Sequence, residues 1–314
     1  MTGQTNLISA GASIAGRNKR YVIWFYLLNL ALASLGTGAF SAQAHSIFDH
    51  SLYADKLLHG FDAAVYVEML ARPEFGPIQA SNAPAMMFAV LFFLLTMLFL
   101  PGVLLSYSSD HRVPRDEFYR TCGRNVWRFV RLFLFFAIIA GPVAGILFGV
   151  QSALAKAADK NSYEKLPFFV QCACMAIIFL VMTAIRAWFD LAETDVVVSD
   201  QGAVRKSVAF GFRNMRRNLG RLLGSYVVIA IVAVAILAVG ISLWEMIVPA
   251  SSVLGAFIIS QAILLLLLAT RFWQRAAAVA FYVKQQAEIP VIEMPPFAPL
   301  SMPELPVAQP GSGT

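Results

Sequence analysis

Residues 84–105 read PAMMFAVLFFLLTMLFLPGVLL, an apolar stretch without one charged side chain. About 20 such residues, wound at 1.5 Å per residue, cross the roughly 30 Å hydrocarbon core of a bilayer. The apolar character is continuous rather than alternating, so this is not a strand of a membrane barrel. In lipid a helix satisfies its own backbone within one segment. Working outward, the same reading applies to about 21–44, 126–150, 167–189, 221–244 and 253–270. The expected fold class is therefore an all-α integral membrane protein, with six transmembrane helices spread over residues 21–282.

Composition agrees with that reading. The chain is 59% hydrophobic and only 13% charged, with a mean hydropathy of +0.68. A soluble domain carries about 25% charged residues, so much of this surface has to face lipid. The net charge of +6 points to membrane orientation rather than nucleic acid, because the basic residues gather at the ends of the apolar runs. Three cysteines make no disulfide framework. Cys172 and Cys174 sit about 200° apart around a helix and cannot share a metal.

The flanking segments differ in character. Residues 1–20 are polar and end in Arg17, Lys19 and Arg20. The run that follows, 21–44, reads as an uncleaved span. The alternative is a signal peptide, with Ala42-Gln43-Ala44 as a small-residue cleavage site ahead of His45. Residues 45–80 form a hydrophilic outer segment in which Leu57, Leu58, Phe61, Val65 and Met69 recur at helical spacing, the pattern of short amphipathic helices. Residues 283–314 carry repeated prolines, among them Pro290, Pro295, Pro299 and Pro306, and read as a disordered tail.

With the N-terminus inside, nineteen Lys and Arg residues fall on the inner side and five on the outer side. That asymmetry follows the positive-inside rule and puts both termini in the cytoplasm. Trp24, Trp127, Trp188 and Trp273 then fall at the depth of the inner interface, which amphipathic indoles favour.

Two features are the candidate sites. From Val204 to Leu222, apolar residues recur every three or four positions, while Arg205, Lys206, Arg213, Arg216, Arg217 and Arg221 occupy the other faces. This is a basic amphipathic helix suited to anionic head groups or an acidic partner. Within the third span, Gly141, Gly145 and Gly149 stand four apart, with Pro142 beside the first. Small residues at that spacing make a groove that admits a second helix. Ahead of the basic helix, Val196 to Gly202 reads as an extended piece with a polar turn. Arg186 and Asp190, one helical turn apart, can pair.

Catalytic signals are absent from the sequence. There is no Walker A loop, G-x-S-x-G or dinucleotide fingerprint, and no cofactor is expected. His45 with Asp49, and Asp55 with His59, are pairs four apart on the outer segment, but they complete no recognised zinc pattern. Inside the spans the main polar residues are Asn29, Thr96, Gln171 and Gln261. So little intramembrane charge argues against a proton-coupled pump.

The stretch from Arg186 to Tyr226 runs RAWFDLAETDVVVSD and then, past a short turn, VRKSVAFGFRNMRRNLGRLLGSY. It resembles a pattern in six-span bacterial inner-membrane proteins. Among these are the YciC-like proteins and the membrane domain fused to some glycerophosphodiester phosphodiesterases. The resemblance implies a bacterial inner-membrane location. It carries no catalytic motif, and the soluble phosphodiesterase domain is missing, so hydrolysis is not implied. The leading expectation is a non-enzymatic component that interacts with membrane lipids or with an assembly partner. A protein partner and self-association into a homo-oligomer are both left open. The alternatives are a transporter, or transporter subunit, for an apolar or lipid-like solute, and an intramembrane enzyme using the outer histidines.

Overall fold

The computed structural model describes residues 6–48, 77–109, 111–158, 165–249 and 252–287. Among these residues all regular structure is helical: α1 (Leu7–Arg17), α2 (Lys19–Phe48), α3 (Pro77–Ser108), α4 (Arg115–Ala158), α5 (Leu166–Val198), α6 (Val204–Arg217), α7 (Leu219–Ile247) and α8 (Val253–Ala287). Five are long and apolar enough to cross a membrane: α3 from Met86, α4, α5, α7 and α8. The most apolar 18-residue stretch of each is only 6–28% buried. Apolar surface of that extent, left uncovered on a chain, belongs in lipid. The first apolar run also folds as a helix, α2, but is not one of these five.

Several helices are longer than the apolar runs inside them. The third apolar run, expected from about residue 126, belongs to a helix that already starts at Arg115; Pro114 precedes it, and Asp116 and Glu117 in its first turn suit the positive end of a helix. The extended piece expected at Val196 to Val198 is instead the last turn of α5. Val196 and Val197 are buried in the core there, and that packing overrides the strand preference of β-branched residues. The basic helix is divided. Asn218 interrupts it, its backbone N–H and its side-chain amide both donating to the Asn214 carbonyl, and Leu219 opens α7. The outer amphipathic segment and the tail beyond Ala287 lie outside the described residues.

Helix α8 sits among α1, α2, α3, α5 and α7. Its Ala276, Ala277 and Ala278 are fully buried; such small side chains let several helix backbones approach one another. Gly11 of α1 marks one such approach. A Cβ there would lie 2.9 Å from the Ala277 backbone.

The core occupies one end of the bundle. Tyr107, Phe129, Phe189, Tyr226, Phe272 and Tyr282 are all buried. They belong to the later halves of α3, α5 and α8 and the early halves of α4 and α7, which antiparallel packing brings to the same level. Toward the other end Met87, Ile138, Phe169, Val234 and Leu254 are exposed. Lipid tails are as apolar as leucine, so packing and hydrogen bonds hold such helices together, each interhelical bond contributing about 0.6 kcal/mol on average. Tyrosine hydroxyls supply several: Tyr21 with Ser106, Tyr26 to Gln261, Tyr226 to Asp190 and Tyr282 to Asp195. Gln261, one of the few polar residues inside the spans, is thus an interhelical acceptor.

Candidate functional site: a basic rim and a charged cavity

Helix α6 lies on α5 with its apolar stripe inward. Val204, Val208 and Met215 are buried, and Gly211 allows the contact, since a Cβ there would meet the Trp188 carbonyl oxygen at 2.8 Å. Trp188 donates its indole N–H to the Val208 carbonyl at 2.8 Å. Gln285 of α8 reaches Asn214 from the other side. With the inner stripe held in this way, Arg205, Lys206, Arg213, Arg216, Arg217 and Arg221 are all exposed. No carboxylate among the described residues comes within 4 Å of any of them. Exposed Phe212 and Leu219 stand among these cations, so the rim is amphipathic.

The turn into α6 is tied down separately. Asp200 adopts a positive φ of 52°, a conformation that aspartate tolerates better than most residues. Its carboxylate accepts from Arg128 and meets Arg124 at 3.3 Å. The Arg128 hydrogen bond holds the Asp200 carboxyl below the ordinary aspartate range, and the Arg124 charge adds to this. Two arginines counted from sequence as topology charges therefore brace the α5–α6 turn from α4.

Two of the tryptophans assigned to the lipid interface have a different role. Trp188 binds α6 as described, and Trp273 donates to the Ile8 carbonyl at 2.8 Å, pinning α1 to α8. Only Trp24 and Trp127 of that group are exposed. Both side chains are half-buried, and each indole N–H finds a backbone carbonyl.

A cavity of about 730 Å³ enters the bundle between α3, α4, α5, α7 and α8, within the roughly 300–1,000 Å³ range of small-ligand sites. Its walls are apolar, with Phe93, Phe133, Phe136 and Phe179 prominent. One end is polar, with Arg186, Asp190, Glu193, Arg271, Gln274 and Arg275. A smaller adjoining space of about 220 Å³ shares the three arginines. Asp190 is buried; it accepts from Tyr226 at 2.6 Å and lies 3.8 Å from the Arg186 Nε, so the expected Arg186–Asp190 pairing is a loose one. No described carboxylate lies within 4 Å of Arg271 or Arg275. Buried Arg186 Nε, Arg275 Nε, Gln274 Oε1 and Glu193 Oε2 have no hydrogen-bond partner.

The glycines fare differently from the basic helix. A Cβ on Gly141, Gly145 or Gly149 would meet nothing within 4 Å, so no described helix of this chain fills the expected groove. The cavity lies along α4 on the N-terminal side of that stripe. The side chains of His45, Asp49, His50, Asp55 and His59 fall outside the described residues. Among the described residues no group of three His, Cys, Asp or Glu could hold a metal. Sequence reasoning missed Arg271 and Arg275 as partners of Arg186. The available signal was two arginines one turn apart at the end of an otherwise apolar span.

Fold and site together define an α-helical, multi-pass membrane protein with a basic rim at the packed end of its bundle. No known protein family, curated protein or solved structure matches this chain.

Proposed function

We propose that this chain is a non-enzymatic lipid-interacting or assembly component of a bacterial inner membrane. In this reading α2 is the sixth span, both termini are cytoplasmic, and α6 lies at the cytoplasmic surface. The Lys and Arg asymmetry supports the orientation, and the resemblance over residues 186–226 supports the bacterial inner membrane. The observation that carries the function is the presentation of α6. Its inner stripe is fixed to α5, so its five cations, joined by Arg221 in the first turn of α7, face outward without acidic partners among the described residues. Each cation near an anionic membrane surface contributes about 1 kcal/mol of attraction.

Native mass spectrometry of the protein released from its own membranes tests this. A retained anionic lipid or a protein at fixed stoichiometry is expected. The combined substitution Arg213→Glu, Arg216→Glu and Arg217→Glu should remove the lipid or protein held on the α6 rim while the chain stays membrane-inserted. If that variant fails to insert, the arginines only set topology and the proposal is lost.

A second reading, carriage of an apolar or lipid-like solute, is favoured by the apolar cavity between α3, α4, α5, α7 and α8. Exchange of such a solute between vesicles, dependent on the reconstituted protein, would select it over a static lipid contact.

A further inference from the structure

We infer that the cavity between α3, α4, α5, α7 and α8 is a binding site for an amphiphile with an anionic head group, its head on Arg186, Arg271 and Arg275 and its apolar chain along Phe93, Phe133, Phe136 and Phe179. The site is separate from the exposed basic rim, and the inference does not depend on the function assigned to α6.

Depth is the first argument. At 1.5 Å per residue Arg271 lies roughly 27 Å along α8 from Val253, and Arg186 roughly 30 Å along α5 from Leu166. A hydrocarbon core is about 30 Å thick. Both guanidinium groups therefore stand near its boundary, the level at which a lipid carries its head group, and the apolar walls extend from there into the hydrocarbon.

Charge is the second. Three arginines face two carboxylates around this space, and Asp190 is already engaged by Tyr226 and Arg186. Desolvated ionisable groups at membrane depth are costly and ordinarily have partners. Here Arg186 Nε, Arg275 Nε and the Oε1 of Gln274, a side chain more than nine-tenths buried, make no hydrogen bond. A carboxylate or phosphate placed among the arginines satisfies their N–H groups with charge-assisted hydrogen bonds. A head group that also carries a hydroxyl or ammonium donor can give that donor to Gln274 Oε1 or Glu193 Oε2.

Access is the third. Phe93, Phe179 and Val234 line the cavity and are themselves exposed. The space opens onto the surface that the spans offer to lipid, so its ligand enters sideways from the bilayer. The rival cavity near Arg20 and Arg115, about 460 Å³, makes a weaker case. Arg20 there already bonds the Tyr21 hydroxyl and stacks on its ring.

The anionic head could belong to a membrane phospholipid or to a free fatty acid. The test uses the full chain in phosphatidylcholine nanodiscs, with diazirine-bearing palmitate, phosphatidylglycerol and palmitoyl alcohol as photoprobes. Labelled residues are mapped by mass spectrometry. One or both acidic probes should label the peptides that contain Phe93, Phe133 or Phe179, and excess unlabelled acid should compete. The better acidic probe names the source of the head group. Labelling should fall about tenfold in Arg271→Gln, the equivalent of one lost charge-assisted contact, and recover in part in Arg271→Lys. It should also fall in Ala233→Trp, which fills the cavity and leaves every arginine in place, and persist in the triple α6 variant. Equal labelling by the alcohol overturns the head-group assignment. Undiminished labelling of a folded Ala233→Trp protein overturns the cavity.

Discussion

Trp188 of α5 donates its indole N–H to the carbonyl of Val208, in the second turn of α6, at 2.8 Å. Its ring lies 4.9 Å from that of Phe212. This contact and the missing side chain of Gly211 seat the basic helix. Trp188→Phe should lower stability by about 1 kcal/mol, the net value of one hydrogen bond. Gly211→Leu should cost more, about 1–3 kcal/mol, because its Cβ would strike backbone atoms that cannot rotate away. Thermal unfolding in detergent, with proteolysis at the 199–203 turn, measures both. A melt of Gly211→Leu equal to the parent would show that α6 is not seated as described.

The Arg128–Asp200 contact sets a pH dependence. The folded carboxyl lies below its unfolded value of about 3.9. Its contribution is therefore full above that value and is lost as pH falls through the folded pKa. Amide exchange in the α5–α6 turn should be insensitive to pH-specific opening from neutrality down to about pH 5 and accelerate only in stronger acid. Asp200→Asn should show the open turn at neutral pH. Because the carboxylate is half exposed, salt should weaken the effect.

Two glycines should answer differently to the same change. Gly11→Leu collides with the Ala277 backbone of α8 and should detach α1, exposing a cysteine placed at buried Leu7 to a water-soluble maleimide. Gly145→Leu meets open space and should leave the fold and its melting temperature intact. Unfolding of Gly145→Leu would mean that the stripe is occupied within one chain. Loss of an oligomer with the fold retained would assign the stripe to contacts between copies.

Tyr226→Phe removes the hydroxyl that donates to buried Asp190. Leaving such a group short of one partner costs about 1–3 kcal/mol. The melting temperature should fall more than in Tyr26→Phe, whose hydroxyl meets Gln261 at a longer 3.2 Å in a partly buried setting. Equal losses would indicate that water or Arg186 replaces the Tyr226 contact.

Membrane residence, the helical class and the amphipathic basic segment can be read from sequence alone, because each rests on neighbours within one helix. A bilayer imposes length and composition on each span separately. The period of Val204, Val208 and Met215 names the face that must be buried, whatever buries it. Helix ends were less legible. Val196 and Val197 stay helical only because α5 carries them into a core built by other helices, and α4 starts at Arg115, well ahead of the run expected from 126, because the arginines there hid its continuity.

Tertiary structure alone decided the rest. Arg186, Arg271 and Arg275 belong to two helices that are distant in sequence, and their meeting beside an apolar cavity depends on α8 lying against α5. Trp188 and Trp273 carry the composition of interface anchors and become internal clamps because α6 and α1 bring backbone carbonyls to them. Gly11 and Gly145 are the same residue type in the same helical setting; one is pressed against a neighbouring backbone and the other is free. Local pattern determines which helices form and which faces are apolar. Which faces meet depends on packing among the whole set, and no single segment contains that information.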